Sequence, residues 1–91
     1  MIRLSLIIPT HNRAGQLLAA LESVVRQDMP AGEWECVVVN NNSTDDTPAR
    51  FAAFAARYPA LNLRMVTETG PGVSYARNRG IDESRGEYIA I

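Results

Sequence analysis

"VVVNNNSTDDT", residues 37–47, sets three valines against three asparagines and then runs through Ser, Thr and two Asp. Valine favours a strand and asparagine a turn, so a strand is expected to end where the asparagines begin. Pro48 suits a first helical turn, which puts a helix start near Thr47 with Asp46 or Thr47 as its cap. A buried strand that feeds straight into a helix is the repeating unit of an alternating α/β chain. The triplet also carries a chemical puzzle. One or two asparagines suffice for a turn, yet three neutral amides stand at what would be a strand mouth.

The same alternation extends in both directions. Upstream, "RLSLIIP" (3–9) reads as a buried strand ended by Pro9. A helix is expected from about Arg13 to Gln27, with Leu17, Leu18, Leu21, Val24 and Val25 on one face. "ECVVV" (35–39) is the second strand. Downstream, Phe51, Phe54, Ala55 and Tyr58 form the inner face of a second helix, closed by Pro59. "LNLRMVT" (61–67) alternates as a third strand, and "TGPG" (69–72) is a loop. A third helix spans about Val73 to Asp82, and Gly86 precedes a fourth strand, "EYIAI". The order β-α-β-α-β-α-β predicts a three-layer α/β/α domain over residues 1–91, with a mostly parallel sheet. Ligands of such sheets gather at the carboxyl ends of the strands. Here those ends are "PTHN" (9–12), "NNNS" (40–43) and "TETGPG" (67–72).

Composition narrows the function classes. At 91 residues, 46% hydrophobic and 21% charged, the chain is one small globular domain. A net charge of −1 gives no broad electrostatic case for nucleic acid or an anionic membrane. The early apolar run "LIIP" is too short for a leader core or a membrane span, and the default expectation is cytoplasmic. One histidine and one cysteine cannot build a Cys/His zinc site. Cys36 lies in an apolar run and reads as a buried structural thiol. The chain stops in mid-strand by pattern, so a piece of a longer protein is expected.

On the third helix, Val73, Ala76, Gly80 and Ile81 make an apolar stripe. Arg77 falls near its middle and Arg79 off it. An inward cation needs a partner, either a structural carboxylate or an anion at the mouth such as a phosphate. His11 is either a plain loop residue, which its setting favours, or a flat ring for a base to stack on. Asp45 and Asp46 sit at a helix start, where capping explains them better than a metal. The first turn, "PTHNRAG", lacks the dinucleotide-binding G-x-G-x-x-G pattern, and no P-loop or G-x-S-x-G elbow is present. "PTHN" and "NNNS" also lack the acidic cluster and acceptor Asp of a receiver-like domain.

"LSLIIPTHNR" (4–13), "VVVNNNSTDDT" (37–47) and "GVSYARNRGIDESRGEYIAI" (72–91), in that order and at those separations, closely resemble the opening half of family 2 glycosyltransferases. The resemblance implies a Rossmann-like GT-A fold and transfer of a sugar from a nucleoside-diphosphate donor, usually with inversion, using Mg2+ or Mn2+. It implies that Pro9, Thr10 and His11 lie against the base, that Asn41 at the end of the second strand reads it, and that Arg77 lies near the nucleotide. In the family that strand typically ends in an acidic pair, or Asp then Asn, whereas this chain has Asn40, Asn41 and Asn42. An amide both donates and accepts, which puts uridine specificity in question. The family's Asp-x-Asp metal motif, its catalytic base and its acceptor site are not among these residues. The chain is therefore expected to carry a nucleotide-binding half with no catalytic residue and no metal ligand, to be inactive alone, and to self-associate through exposed apolar surface. The other reading is a non-catalytic nucleotide-binding or assembly module on the same half-fold.

Overall fold

Strand β2 (Trp34–Asn41) is the spine of the computed structural model, which describes residues 1–91. All eight of its residues are buried. β1 (Leu4–Thr10) lies on one side of it and β3 (Leu63–Glu68) on the other, while β4 (Tyr88–Ala90) adds to the far side of β1. The order is β3-β2-β1-β4, and every pairing is parallel. Helices α1 (Ala14–Val24), α2 (Thr47–Ala56) and α3 (Val73–Glu83) make the crossovers, and a 3-10 turn (Ala31–Glu33) leads into β2. The expected alternation and parallel sheet are both present.

Side-chain alternation along β2 separates the two layers, because successive residues of a strand point to opposite faces. Cys36 and Val38 join Leu17, Leu21, Phe51 and Phe54 beneath α1 and α2. Val37 and Val39 join Ile7 and Ala76 beneath α3. The predicted faces of the first two helices are thus the packed ones. Leu18, Val24, Val25, Ala55 and Tyr58 border the larger cluster. A chain that advances β1→β2→β3 and then returns to β4 beside β1 places helices on both faces of the sheet.

Three boundaries differ from expectation for physical reasons. β2 does not stop at the asparagines: Asn40 pairs with both Thr10 and Thr67, and Asn41 with Glu68. Ladders on both sides outweigh the low strand propensity of asparagine. Pro9 does not end β1 but sits inside it opposite Val39, with Thr10 following. β4 reaches only Leu4–Leu6, so β1 is an open edge at Pro9, where a missing N–H is tolerated. The first helix covers Ala14–Val24 and not Arg13–Gln27.

The third helix departs furthest. Ala76 and Gly80 are its buried residues, whereas Val73 and Ile81 are 53% and 44% exposed. A Cβ on Gly80 would lie 2.4 Å from Ile7 Cγ2. The helix therefore seats on β1 through its smallest residues, and no large apolar side chain fits between. At about 100° per residue, Arg77 is turned a quarter-circle away from Ala76. It is exposed, which corrects the inward position expected for it.

Candidate functional site

The carboxyl ends of β1 and β2 and the loop after β3 enclose a cleft of about 570 Å³. β1 and the chain after it contribute Pro9, Thr10, His11 and Arg13. β2 contributes Asn41 and Asn42, and the loop entering α3 contributes Pro71, Gly72 and Val73. This is the mouth where an α/β sheet places its ligands. Its volume lies in the usual range for small-molecule sites.

Each asparagine holds a different part of that mouth. Asn40 Oδ1 accepts the Ser43 N–H at 3.1 Å and closes the turn after β2. Asn41 Nδ2 donates to the carbonyls of Glu68 and Gly70 at 3.0 and 2.8 Å, tying β2 to the loop after β3. Asn42, at φ 60°, donates to the Thr69 carbonyl at 3.1 Å. Left-handed backbone of this kind suits asparagine better than other side chains. Asn12, at φ 51°, completes the set: its Oδ1 accepts the N–H groups of Thr44 and Asp45 at 2.7 and 3.2 Å. Carboxylates at 41 and 42 could make none of these donor bonds. The triplet is therefore stitching between loops as well as turn chemistry.

His11 Nδ1 lies 2.6 Å from the Asn41 carbonyl oxygen. A carbonyl can only accept, so Nδ1 carries the proton and the ring is pinned to the end of β2. Gly72, at φ 116°, begins α3 with no side-chain cap and no acid in the first turn. That helix start brings partial positive charge to the cleft wall. Arg13 is the one charged side chain in the lining, and no carboxylate belongs to it. A hard divalent cation takes oxygen ligands, mostly carboxylates. No three His, Cys, Asp or Glu side chains converge anywhere in the chain. The residues present therefore do not fit such an ion.

Carboxylates brace the cleft from outside. Glu68 Oε2 accepts the Gly70 N–H at 2.7 Å, and its Oε1 stands 3.8 Å from Arg79. Arg79 also meets Glu83, which pairs with Arg64 at 3.0 Å. The Arg64 hydrogen bond is the main reason the Glu83 carboxyl is held below its ordinary pKa. Glu35 is buried and accepts from Ser5 Oγ at 2.6 Å and from the Arg85 N–H at 2.7 Å. Burial pushes its pKa up, but those bonds and Arg64 outweigh it and leave the carboxyl lowered. Asp45 is lowered chiefly by the Thr47 hydroxyl. Its Oδ1 also takes the Thr47 N–H at 3.0 Å, so Asp46 is the N-cap residue of α2, as expected, while the side-chain bond at that helix start comes from Asp45. Burial pushes the Cys36 thiol up to about 12.

Of the site residues expected from sequence, Pro9, Thr10, His11 and Asn41 meet in the cleft. Arg77 does not line it; it stands one turn beyond Val73 on the same side of α3. Arg13, Asn12 and Glu68 were not singled out. Arg13 could have been suspected as the cation nearest the strand mouth. The bonds of Asn12 and Glu68 join loops about thirty residues apart or lie within a loop of undefined shape, and no local pattern encodes them.

The family whose model matches the chain is Glycosyl transferase family 2, over residues 5–91. The uncharacterized glycosyltransferase YibD of Escherichia coli is 34% identical over 98% of this chain and 25% of its own length. Among solved structures, the mannosyltransferase PcManGT from Pyrobaculum calidifontis, in complex with GDP-Man and Mn2+, has a TM-score of 0.90 at 35% identity, covering 96% of this chain and 26% of that one. S. aureus TarS in complex with UDP-GlcNAc has a TM-score of 0.76 at 32% identity, covering 97% of this chain and 25% of that one. The chain thus spans about a quarter of these relatives. No helix is long and apolar enough to cross a membrane.

Proposed function

The chain belongs to glycosyl transferase family 2, and from that premise we propose that its cleft binds the nucleotide of a nucleoside-diphosphate sugar, as the donor half of an inverting transferase site. The observation that carries this reading is the cleft itself. It joins Pro9, Thr10, His11 and Asn41 at the strand mouth, with Arg13 as its only charged group. The likeness to PcManGT, solved with GDP-Man and Mn2+, supports the same ligand class.

Each residue then has a role its chemistry permits. The pinned His11 ring offers a flat face to the base, and Pro9 and Thr10 lie along it. Asn41 reads the base edge. The diphosphate is drawn to Arg13 and to the open start of α3. Arg77, about 6 Å further along the helix from Val73, reaches back toward the phosphates. A divalent ion, Mg2+ or Mn2+, would supply charge neutralisation of the leaving diphosphate in the transferase reaction, but these residues do not furnish its ligands. Nor does the cleft hold a carboxylate to act as base toward an acceptor. Residues 1–91 are accordingly proposed to bind nucleotide weakly and to turn over no donor by themselves.

Titration of the folded chain with UDP, GDP and dTDP, followed by amide chemical shifts, tests this. Shifts confined to the ends of β1 and β2 and the start of α3 are expected. Silence from all three nucleotides refutes the site. Metal-dependent release of nucleotide from a sugar donor by these residues alone refutes the proposed division of labour. Binding without turnover in a longer natural chain would favour the assembly-module reading.

A further inference from the structure

Asn41 is only 7% exposed, and both of its amide hydrogens are already engaged, with the Glu68 and Gly70 carbonyls. Reversing the amide would set its oxygen against those two carbonyl oxygens, so one orientation is enforced. Its Oδ1 accepts nothing from the protein. Yet Gln27 Nε2 is the one unpartnered side-chain atom sealed from solvent. Asn41 Oδ1 is therefore accessible, in a residue that lines the cleft. An amide that in principle donates and accepts has become an acceptor only.

Glu68 fixes that outcome. Its own carbonyl takes one Asn41 hydrogen, and its carboxylate holds the Gly70 N–H at 2.7 Å, which positions the second carbonyl. Arg79, anchored on Glu83, braces the same carboxylate. The Tyr75 ring closes the other side, since a Cβ on Gly70 would lie 2.5 Å from it.

We infer that Glu68 is a positioning residue that holds Asn41 as an acceptor-only reader, so that the cleft favours nucleotides whose base presents a ring N–H, as uracil and guanine do, over cytosine and adenine. The inference rests on the nucleotide reading above, with the base edge toward β2. N3 of uracil and N1 of guanine carry a hydrogen for Oδ1. N3 of cytosine and N1 of adenine carry a lone pair and would face it unpaired.

The test is titration of the chain with UDP, GDP, CDP and ADP. UDP and GDP are expected to bind at least about tenfold more tightly than CDP and ADP. Glu68→Ala should compress that ratio to within about threefold, because the Gly70 carbonyl loses its brace and the Asn41 amide keeps only the backbone carbonyl of residue 68 to hold its orientation. Glu68→Gln keeps an acceptor for Gly70 N–H and should retain the ratio. Arg79→Ala, read by the same ratio, serves if Glu68→Ala fails to fold, and should compress it partially. Equal binding of all four nucleotides to the natural chain overturns the inference and leaves the site standing. So does a folded Glu68→Ala that weakens all four by one common factor, the mark of a merely structural role. Absence of all binding removes the site and the inference together.

Discussion

Asn41 is where sequence and structure say different things about one residue. Its amide looks like a two-way reader of a base, and on that footing Asn41→Asp should favour uridine nucleotides. In the fold its hydrogens bind the loop after β3. A carboxylate at 41 would face two carbonyl oxygens, so Asn41→Asp is expected to destabilise the chain by about 1–3 kcal/mol. For a domain this size the melting temperature would fall by about 4–8 °C per kcal/mol. An unchanged melting temperature would refute the stitching role. Glu35 gives a second prediction. Its folded pKa is below the ordinary 4.5, so its contribution to stability is complete above that value and is lost as pH falls through the folded one. Thermal melts from pH 6 downward should show this loss, and Glu35→Gln should flatten part of the slope while lowering stability at neutral pH. Neither residue's partners could be read from sequence. The Asn41 bonds span 27 and 29 positions, and the Glu35 bond to Arg85 spans 50.

Among the elements, α1 and α2 were readable because their packed faces are made of large apolar residues at helical spacing. The range of α3 was readable, and its stripe included the buried Ala76 and Gly80; its packed face was not fully readable, because hydrophobicity adds Val73 and Ile81, which stay exposed, to the small residues that meet the sheet. Gly80→Ala tests that seat. Alanine is the better helix former by about 0.5–1 kcal/mol, yet its Cβ would stand 2.4 Å from Ile7. Overpacking typically costs about 1–3 kcal/mol, so a net loss of stability is expected. A more stable Gly80→Ala protein would show that α3 has room to lift. The two arginines of the helix divide in the same way. Arg79 is held by Glu68 and Glu83, so Arg79→Ala should lower the melting temperature. Arg77 is exposed and its substitution should leave stability unchanged while weakening nucleotide binding. If Arg77→Ala alters neither, it has no part in the site.

For the molecule as a whole, alternation of strands and helices foretold the layers and the mouth, since it depends on local periodicity. The strand order was beyond it: nothing local says that β4 returns beside β1. That return leaves Tyr88 and Ile89 at 64% and 44% exposure on a free edge, and Val73 and Tyr75 of α3 are exposed as well. Exposed strand edges and apolar patches promote association. Light scattering on the 91-residue chain is therefore expected to show dimers or larger species, and a strict monomer at all concentrations would refute this. The two-sided spine has another consequence. Val37 and Val38 are sequence neighbours, but one packs under α3 and the other under α1 and α2, with no shared partner. Val37→Ala and Val38→Ala should each cost about 2 kcal/mol, and the double variant their plain sum. Val37 and Ala76, 39 positions apart, belong to one cluster, and changes there should be thermodynamically coupled. Chain distance and energetic distance are thus inverted along this strand: the peptide bond joining two valines transmits less than the packing that joins strand to helix.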